Sequence, residues 1–286
     1  MTPTVYIVVG PTAVGKTKYA IELAQKLKTE IISADARQCY KELNIGVARP
    51  SELELETIPH HFIASHSIHE TVNAGVFEQY ALDKTETLLA NHGSVVMVGG
   101  TGLYIKAFAE GMDAIPAIDP AIRQQIQEGL TTNGIAWLQE QVQQFDPAYW
   151  ARADLGEQQN TQRLSRALEV KMGTGQSILD FQHQQKKTRP FAIQKIGLEM
   201  PRVDLYDRIN QRVIQMVEMG LEEEVKNLLP QFHLNALQTV GYQEWLSYFD
   251  GIQTIDAVIQ AIQQNTRHYA KRQMTWFKKD IEIKWV

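Results

Sequence analysis

The segment GPTAVGKT at residues 10–17 carries the strongest chemical signal in the sequence. It matches the pattern G-x-x-x-x-G-K-[ST], in which glycines let backbone N–H groups close around phosphate oxygens. Lys16 would add a positive charge, and Thr17 a hydroxyl for a metal such as Mg²⁺. The residues before the segment predict a strand and those after it a helix, whose amino terminus favours an anion. The sequence therefore predicts a phosphate-binding P-loop.

The identity of the bound anion is open from this loop alone. ATPases and GTPases usually carry an acidic residue at the end of a following strand. Here the clearest later strand, SVVMV at 94–98, is followed by the glycine-rich turn GGTGLY. We interpret this turn as backbone that approaches a ligand, with Thr101 offering a hydroxyl. A tight turn without a ligand is the alternative.

Asp35 follows the second predicted strand, in the segment SADARQCY. The carboxyl end of a strand beside the P-loop is where open α/β sheets bind ligands. A carboxylate there could act as a general base or position a metal, or it could cap a following helix. Arg37 and Gln38 add a guanidinium and an amide, which are groups that contact nucleic-acid phosphates and bases.

Two basic regions could hold further phosphates. Arg208 and Arg212 are four residues apart on a predicted amphipathic helix, so they share a face that suits a phosphate or diphosphate. Their alternative partners are acidic residues of the same helix, Asp204 and Asp207.

The second basic region is TRHYAKRQMTWFKKD at 266–280, where lysines and arginines alternate with aromatic residues. This composition suits a nucleic-acid backbone. The alternative is a terminal helix that packs its aromatic residues on the core.

The elements that must position these residues form an α/β pattern. Strands are predicted at TVYIVV near the amino terminus, EIIS at 30–33, HFIAS at 61–65, SVVMVG at 94–99 and IQKIGLE at 193–199, and a first helix from Gly15 to Lys28. Alternating strands and helices predict a parallel sheet flanked by helices. The segment 120–185 has helical patterning instead, and a helix near 204–229 is predicted to break near Gly220. We expect a core of 1–115 with 190–286, interrupted by a mainly helical insertion of 116–189.

Composition excludes several classes of protein. With 286 residues, 44% hydrophobic and 21% charged, the chain can bury a full core. Cys39 is the only cysteine, so no intramolecular disulfide is possible, and we expect a small buried residue. No run approaches the roughly 18 apolar residues of a membrane span, and we expect a cytoplasmic protein. His60 and His61 lack neighbours with metal-ligand spacing, which favours a structural or substrate-contact role.

Taken together, these segments resemble the tRNA dimethylallyltransferases, also called tRNA isopentenyltransferases. The resemblance runs nearly end to end and in order, through GPTAVGKT, ISADARQCYKELNIGVARP, PHHFI, NAGVFEQYA, VVMVGGTGLYIKA, NTQRLSRALEV, the helix of Arg208 and Arg212, TVGYQEW and HYAKRQMTWF. It implies a P-loop NTPase-like core. It also implies transfer of a dimethylallyl group from dimethylallyl diphosphate to the exocyclic amine of the adenosine 3′ of the anticodon.

The resemblance also implies roles for particular residues. Asp35 would accept a proton from, or orient, the adenine amine, and Thr101 would contact the target nucleotide. Mg²⁺ would bridge the phosphates beside Thr17. Diphosphate would be bound by the P-loop and the helix that carries two arginines: Gly10, Thr12, Ala13, Val14, Gly15, Lys16, Thr17, Arg208 and Arg212.

The implied partner is the anticodon stem-loop of tRNA, clasped by the helical insertion. The residues implied to contact it lie in both regions: Asp35, Ala36, Arg37, Gln38, Thr101, Arg123, Gln159, Asn160, Thr161, Gln162, Arg163, Lys271 and Arg272. Gln38 and Arg163 would hold the neighbours of the flipped nucleotide. We expect a monomer.

Two departures from the family pattern lie close to the substrate region. Ala36 stands where the family usually has Ser, and Val47 stands in IGVARP where the usual IGTAKP has Thr. Neither removes a catalytic group, so they bear on substrate affinity or tRNA choice more than on reaction class. The rival functions are a small-molecule or nucleotide kinase that binds ATP, and a nucleotide-dependent RNA-binding module without transferase activity.

Overall fold

The computed structural model describes residues 2–182 and 186–286, which divide into two compact units. The first unit is Met1–Gly111 with Lys187–Val286, and the second is Met112–Lys186. These boundaries lie a few residues from the predicted ones at 115 and 190. Residues 183–185, at the end of the predicted helical segment 120–185, are outside the described part of the chain.

The first unit contains a parallel sheet whose described strands number six, in the spatial order β3-β2-β4-β1-β5-β6. The predicted α/β class is confirmed. The strands are β1 Thr4–Val9, β2 Ile31–Ser33, β3 His60–His61, β4 Ser94–Val98, β5 Ala192–Gly197 and β6 Ile283–Trp285.

Helices cover both faces of this sheet. They are α1 Lys16–Leu27, α2 Glu52–Thr57, α3 Ala74–His92 and α4 Gly102–Glu110 before the second unit, and α10 Arg202–Glu218, α11 Leu221–Leu228, α12 Leu246–Phe249 and α13 Ile255–Phe277 after it. Short 3₁₀ turns lie at Leu229–Gln231, Asn235–Leu237 and Gln243–Trp245. The predicted break near Gly220 is confirmed, because α10 ends at Glu218 and α11 begins at Leu221.

Strand β1 shows how the sheet separates two halves of the core. Val5, Ile7 and Val9 point to one face, whereas Val8 packs on the other face with Ala20 and other residues of α1. Side chains alternate along a strand, so an unbroken apolar run is what a doubly covered strand requires. This central strand pairs with β4 on one side and β5 on the other. The P-loop therefore leaves the middle of the sheet.

The predicted strand HFIAS at 61–65 is largely wrong. Only His60–His61 pair with β2, in register with Ile31 and Ile32. Phe62 and Ala64 have φ values of 62° and 46°, which an extended strand does not allow. The chain therefore turns away from the sheet at Phe62, whose ring is fully buried among other aromatic rings.

The second unit is helical in its described residues. Its elements are α5 Pro120–Phe145, α6 Pro147–Arg152, α7 Leu155–Gln158, α8 Thr161–Thr174 and α9 Ile178–Phe181. Non-helical backbone at Gly134 divides α5 into two. Buried residues of α5 and α8, including Leu138, Val142 and Leu164, form a separate apolar core.

The lengths and hydropathy of the helices determine whether any of them could span a membrane. Within 2–182 and 186–286, no helix is both long enough and apolar enough to cross a bilayer.

Candidate active site

Most of the predicted site residues of the first unit converge near the carboxyl ends of three neighbouring strands. The loops after β2, β4 and β1 carry Asp35, Thr101 and the P-loop respectively. Main-chain hydrogen bonds continue the sheet into these loops, from Ala34 N to the Val98 oxygen at 2.7 Å and from Gly99 N to the Val8 oxygen at 3.2 Å. Sheet order therefore places Asp35 and the P-loop on either side of Thr101.

The P-loop has the form that an anion site requires. Gly15 is the N-cap residue of α1, and no side chain caps this helix. The first turn of the helix also contains no acidic residue. Unpaired amide groups and the partial positive charge of the helix terminus therefore face the loop, where an anion would satisfy them.

Lys16 is the buried cation of the loop. Its Nζ donates a hydrogen bond of 2.8 Å to the Pro11 oxygen. Burial lowers the pKa of Lys16 to about 7, opposed by the negative charge of Asp35 and assisted by the positive charge of Arg212. The ammonium is therefore short of compensating negative charge, which a bound phosphate would supply.

The two arginines of α10 turn toward the P-loop. Arg212 Nη2 donates a short hydrogen bond to Thr12 Oγ1, and Arg208 Nη1 donates to the Val14 oxygen at 3.5 Å. Burial lowers the pKa of Arg212 to about 10, opposed by the charge of Asp35. The two arginines thus bond to P-loop atoms rather than to the acidic residues of their own helix, and their contact with a phosphate stays a prediction.

The Asp35 carboxylate stabilises the turn that follows it and also lines the cavity. Its Oδ1 accepts hydrogen bonds from Arg37 N at 2.9 Å and Gln38 N at 3.2 Å. These bonds stabilise a turn, whereas the alternative interpretation expected a helix there. The carboxylate also lines the cavity in front of the P-loop, so an oxygen not used by the turn can face a ligand.

Thr101 joins the loops after β2 and β4. Its Oγ1 accepts a hydrogen bond of 3.0 Å from Ala36 N, and its N–H donates to the Ala34 oxygen at 3.2 Å. The same hydroxyl is hydrogen-bonded to Tyr269 of α13. Burial, with a further contribution from Asp35, raises the pKa of Tyr269 to about 12, so its hydroxyl stays protonated.

Gln273 is a site residue that the sequence analysis missed. Its side chain accepts from Thr12 N at 2.8 Å and donates to the Gly100 oxygen at 3.0 Å. A Cβ at position 100 would lie 2.1 Å from Gln273 Nε2. Glycine at position 100 therefore leaves room for the Gln273 side chain. The sequence analysis had expected a ligand, and not a side chain of the protein, to approach this turn. The available signal was a glutamine in the buried stripe of α13, between Ala270 and Phe277.

A cavity of about 440 Å³ is lined by the P-loop, Asp35, the two arginines, Tyr269 and Gln273, whereas Thr101 is not among its lining residues. Its P-loop wall is cationic, with Lys16, Arg208 and Arg212, and Asp35 provides a negative charge. A smaller pocket of about 100 Å³ shares Asp35 and Arg212 with it and adds apolar residues, among them Val213, Met216, Val240 and Ile262. One ligand could thus place its anionic end on the P-loop and an apolar end beside Asp35.

Other predicted contact residues lie outside this cavity. Arg123 and the segment 159–163 belong to the second unit, where Arg123 pairs with Glu169 at 2.9 Å and Arg163 pairs with Glu157. Lys271 and Arg272 are exposed on α13 and line a separate surface depression that includes Trp276. Each group remains a predicted tRNA contact.

The remaining candidates have ordinary roles or border the site. His61 binds Glu30 through its Nε2 at 2.5 Å, so its role is structural. His60 lines the cavity while its Nδ1 contacts the Ile58 oxygen. Cys39 is buried, as expected, and burial raises the pKa of its thiol to about 12, which removes nucleophilic character.

Comparisons with known proteins agree with this architecture. A family model described as IPP transferase matches residues 38–280, so the chain belongs to the IPP transferase family. The tRNA dimethylallyltransferase of Christiangramia forsetii is 48% identical over 97% of this chain and 91% of its own length. That of Cytophaga hutchinsonii is 44% identical over 98% and 91%.

Solved structures of related proteins share the fold. The tRNA isopentenylpyrophosphate transferase of Bacillus halodurans superposes with a TM-score of 0.71 at 34% identity, covering 99% of this chain and 89% of that one. A eukaryotic dimethylallyltransferase gives a TM-score of 0.79 at 24% identity, over 99% and 74%, and supports the fold alone. The P-loop NTPase-like core is thereby confirmed.

Proposed function

We propose that this protein is a tRNA dimethylallyltransferase. In the reaction, the exocyclic nitrogen of the adenosine 3′ of the anticodon attacks the allylic carbon of dimethylallyl diphosphate. A carbon–nitrogen bond forms, the carbon–oxygen bond to diphosphate breaks, and the nitrogen loses a proton. The observation that carries the proposal is one cavity with a cationic P-loop wall and the Asp35 carboxylate.

The P-loop wall supports departure of the diphosphate. Negative charge grows on the leaving oxygen as the carbon–oxygen bond lengthens, and fixed positive groups stabilise that charge in a site shielded from water. Lys16, Arg208 and Arg212 supply these groups, together with the amino terminus of α1. Gln273 and Arg212 both hold Thr12, so the loop is ordered before the substrate arrives.

Asp35 is the proposed acceptor for the proton of the attacking amine. Its Oδ1 is fixed by the two backbone amides of the following turn, which sets the direction of the carboxylate. Thr101 is fixed to that turn through Ala36 N and is the proposed contact of the target nucleotide. A base can reach these groups only after leaving the stack of the anticodon loop.

Mg²⁺ is the proposed cofactor. In the described ranges, no three His, Cys, Asp or Glu side chains cluster as metal ligands. The residues fit a metal that takes most of its oxygen ligands from diphosphate and water, as Mg²⁺ commonly does. The Thr17 hydroxyl is the protein oxygen proposed to hold it, and the metal would neutralise diphosphate charge.

The proposed macromolecular substrate is the anticodon stem-loop of tRNA. Exposed cations on α13 and on the second unit suit its phosphates, and the relatives in Christiangramia forsetii and Cytophaga hutchinsonii are named for tRNA. Such a substrate supports a cytoplasmic site of action. We also propose that the protein acts as a monomer.

The direct test is incubation with dimethylallyl diphosphate, Mg²⁺ and unmodified tRNA. The proposal requires isopentenyladenosine in the tRNA and release of diphosphate. Phosphate transfer from ATP to a small molecule, without prenylation, would establish the rival kinase function, which family membership does not favour. Binding of tRNA without either reaction would support the other rival function, an RNA-binding module without transferase activity.

We expect the affinity for diphosphate to fall as the pH rises above 7. The buried Lys16 has a pKa of about 7, and a bound anion favours its charged form. Binding above pH 7 must therefore take up a proton, and affinity should fall by up to roughly tenfold per pH unit until the pKa of the complex is reached. Titration calorimetry across the neutral range, in buffers of different ionisation enthalpy, measures this uptake.

The matched control for this pH effect is Lys16→Arg. A guanidinium stays charged throughout the range, so only the titration of diphosphate itself should remain. An identical pH profile in this variant and the parent protein would show that Lys16 does not titrate on binding.

We expect Lys271→Ala to weaken tRNA binding and its dependence on salt together. A lysine that contacts one phosphate releases about one counterion on binding, so the slope of log affinity against log salt should become shallower by about 1. Fluorescence anisotropy of a labelled stem-loop at several salt concentrations gives both quantities. Lys226→Ala, an exposed lysine on α11, is the control. An unchanged slope would show that Lys271 does not contact a tRNA phosphate and would favour ordinary surface charge on α13.

A further inference from the structure

The loop 44–49 lines the cavity through Val47 and Ala48, and it is held by a carboxylate that the sequence analysis did not identify. Glu224, on α11, accepts hydrogen bonds from Ile45 N at 2.8 Å and Gly46 N at 3.1 Å. The Tyr242 hydroxyl donates to the same carboxylate at 2.7 Å. One side chain outside the cavity therefore fixes two consecutive amides of the loop that carries Val47 and Ala48 into its wall.

Two further contacts keep this loop in a single conformation. A Cβ at Gly46 would lie 2.6 Å from the fully buried ring of Tyr242, so the backbone rests directly on that ring. The Arg49 guanidinium donates to the oxygens of Tyr40 at 2.7 Å, Lys41 at 3.1 Å and Leu43. The loop therefore has little freedom to follow a ligand.

The loop in turn determines the orientation of Gln38. The amide nitrogen Nε2 donates to the Val47 oxygen at 3.2 Å and to the Ala48 oxygen at 2.9 Å. A flip of the amide would place its oxygen against these two carbonyl oxygens, with no hydrogen-bond donor between the acceptors. Nε2 is therefore turned into the loop, and Oε1 is the polar atom of Gln38 left for a ligand in the cavity. Because Val47 acts through its backbone, the departure from threonine at this position does not disturb the contact.

We propose that Glu224 is a positioning residue that acts through loop 44–49 to present Gln38 Oε1 to the substrate as a fixed hydrogen-bond acceptor. The inference rests on the proposed function and on the expectation from the sequence that Gln38 holds a neighbour of the flipped nucleotide. A fixed acceptor selects an N–H donor, so at the 6 position of a purine it favours the exocyclic amine of adenine over the oxo group of inosine. Glu224 thereby contributes to base selection without touching the base.

A double-mutant cycle on the full-length protein tests the link between the two residues. Glu224→Ala and Gln38→Ala should each lower kcat/KM for an anticodon stem-loop by roughly tenfold, the effect of one well-placed hydrogen bond. The double variant should fall no further, because both changes remove the same interaction. Multiplicative losses would show that Glu224 acts independently of Gln38 and would overturn the proposal.

The control for general damage to the fold is Tyr242→Phe. It keeps the ring against Gly46 and both loop amide bonds while removing the third donor to Glu224, so kcat/KM should stay within about threefold. If Glu224→Ala does not fold, Glu224→Gln replaces it. The glutamine oxygen can still accept from one loop N–H, but its NH₂ group faces the other loop N–H and cannot accept from it. Affinity for inorganic diphosphate should stay within about twofold in each variant. A parallel loss of diphosphate affinity would also contradict the proposal.

Base selection provides a second readout that a structural role would not change. Competition binding without prenyl diphosphate compares stem-loops carrying adenosine or inosine, one position at a time, at the target and its two neighbours. The parent protein should prefer adenosine at one of these positions by roughly tenfold. Gln38→Ala and Glu224→Ala should both lose that preference. Retention of the preference in Glu224→Ala overturns the positioning role, whereas absence of prenylation by the parent protein would refute the proposed function itself.

Discussion

Asp35→Asn should reduce turnover by roughly 10²- to 10⁴-fold, the range that a positioned general base contributes. The substitution is conservative for the fold, since an asparagine oxygen can still accept from Arg37 N and Gln38 N. It removes the capacity to take a proton, together with the negative charge that favours the cationic forms of Lys16 and Arg212. Single-turnover prenylation of a stem-loop isolates the chemical step from product release.

Binding measurements decide which role Asp35 has. Diphosphate affinity should largely survive in Asp35→Asn, because the cationic groups of the P-loop wall remain in place. An equal loss of turnover and diphosphate affinity would make Asp35 an organiser of metal or phosphate. Asp35→Ala is the companion variant, since it also removes the turn bonds, and any additional loss measures their contribution.

Lys16→Met should weaken diphosphate binding by roughly 30-fold to several thousandfold, the cost of removing one partner from a buried charge pair. The measurement belongs near pH 6, where the parent lysine is charged because its pKa is about 7. The ammonium has one backbone partner, Pro11, so its main electrostatic partner would be the ligand. Calorimetric titration with dimethylallyl diphosphate gives the affinity.

Lys26→Met provides the matched control for Lys16→Met. Lys26 lies in the last turn of the same helix and is exposed, so the variant makes the same change in net charge away from the cavity. Its diphosphate affinity should match that of the parent protein. Unchanged affinity in Lys16→Met would contradict the assignment of GPTAVGKT to the diphosphate.

Local patterns predicted the elements that carry the P-loop and Asp35. The apolar run of β1, the glycines of the loop and the amphipathic face of α1 lie within 24 consecutive residues, so their signals need no tertiary information. The arginines of α10 were found for the same reason, since helical spacing fixes their common face. Their alternative pairing could be excluded only once Thr12 and Val14 were seen as their partners.

Residues that act at long range were not predicted. Gln273 contacts Thr12 across 261 positions, and Glu224 contacts Ile45 across 179. Each is a common polar residue in an ordinary helix, and only the packing of that helix reveals its target. The failure at 61–65 has a related cause, because burial of the Phe62 ring competes with extension of β3. The roles of the tRNA-facing residues in the second unit stay predictions.

The buried bond from Gln273 to the P-loop has a consequence for biosynthesis. Because synthesis runs from the amino terminus, Gln273 is added 261 positions after Thr12, the P-loop residue that it contacts. Strand β1 likewise cannot pair along its second edge until β5 has been synthesised. The P-loop emerges early in synthesis, but its contact with α13 can form only much later. A nascent chain that does not yet include Gln273 therefore lacks this part of the proposed diphosphate site.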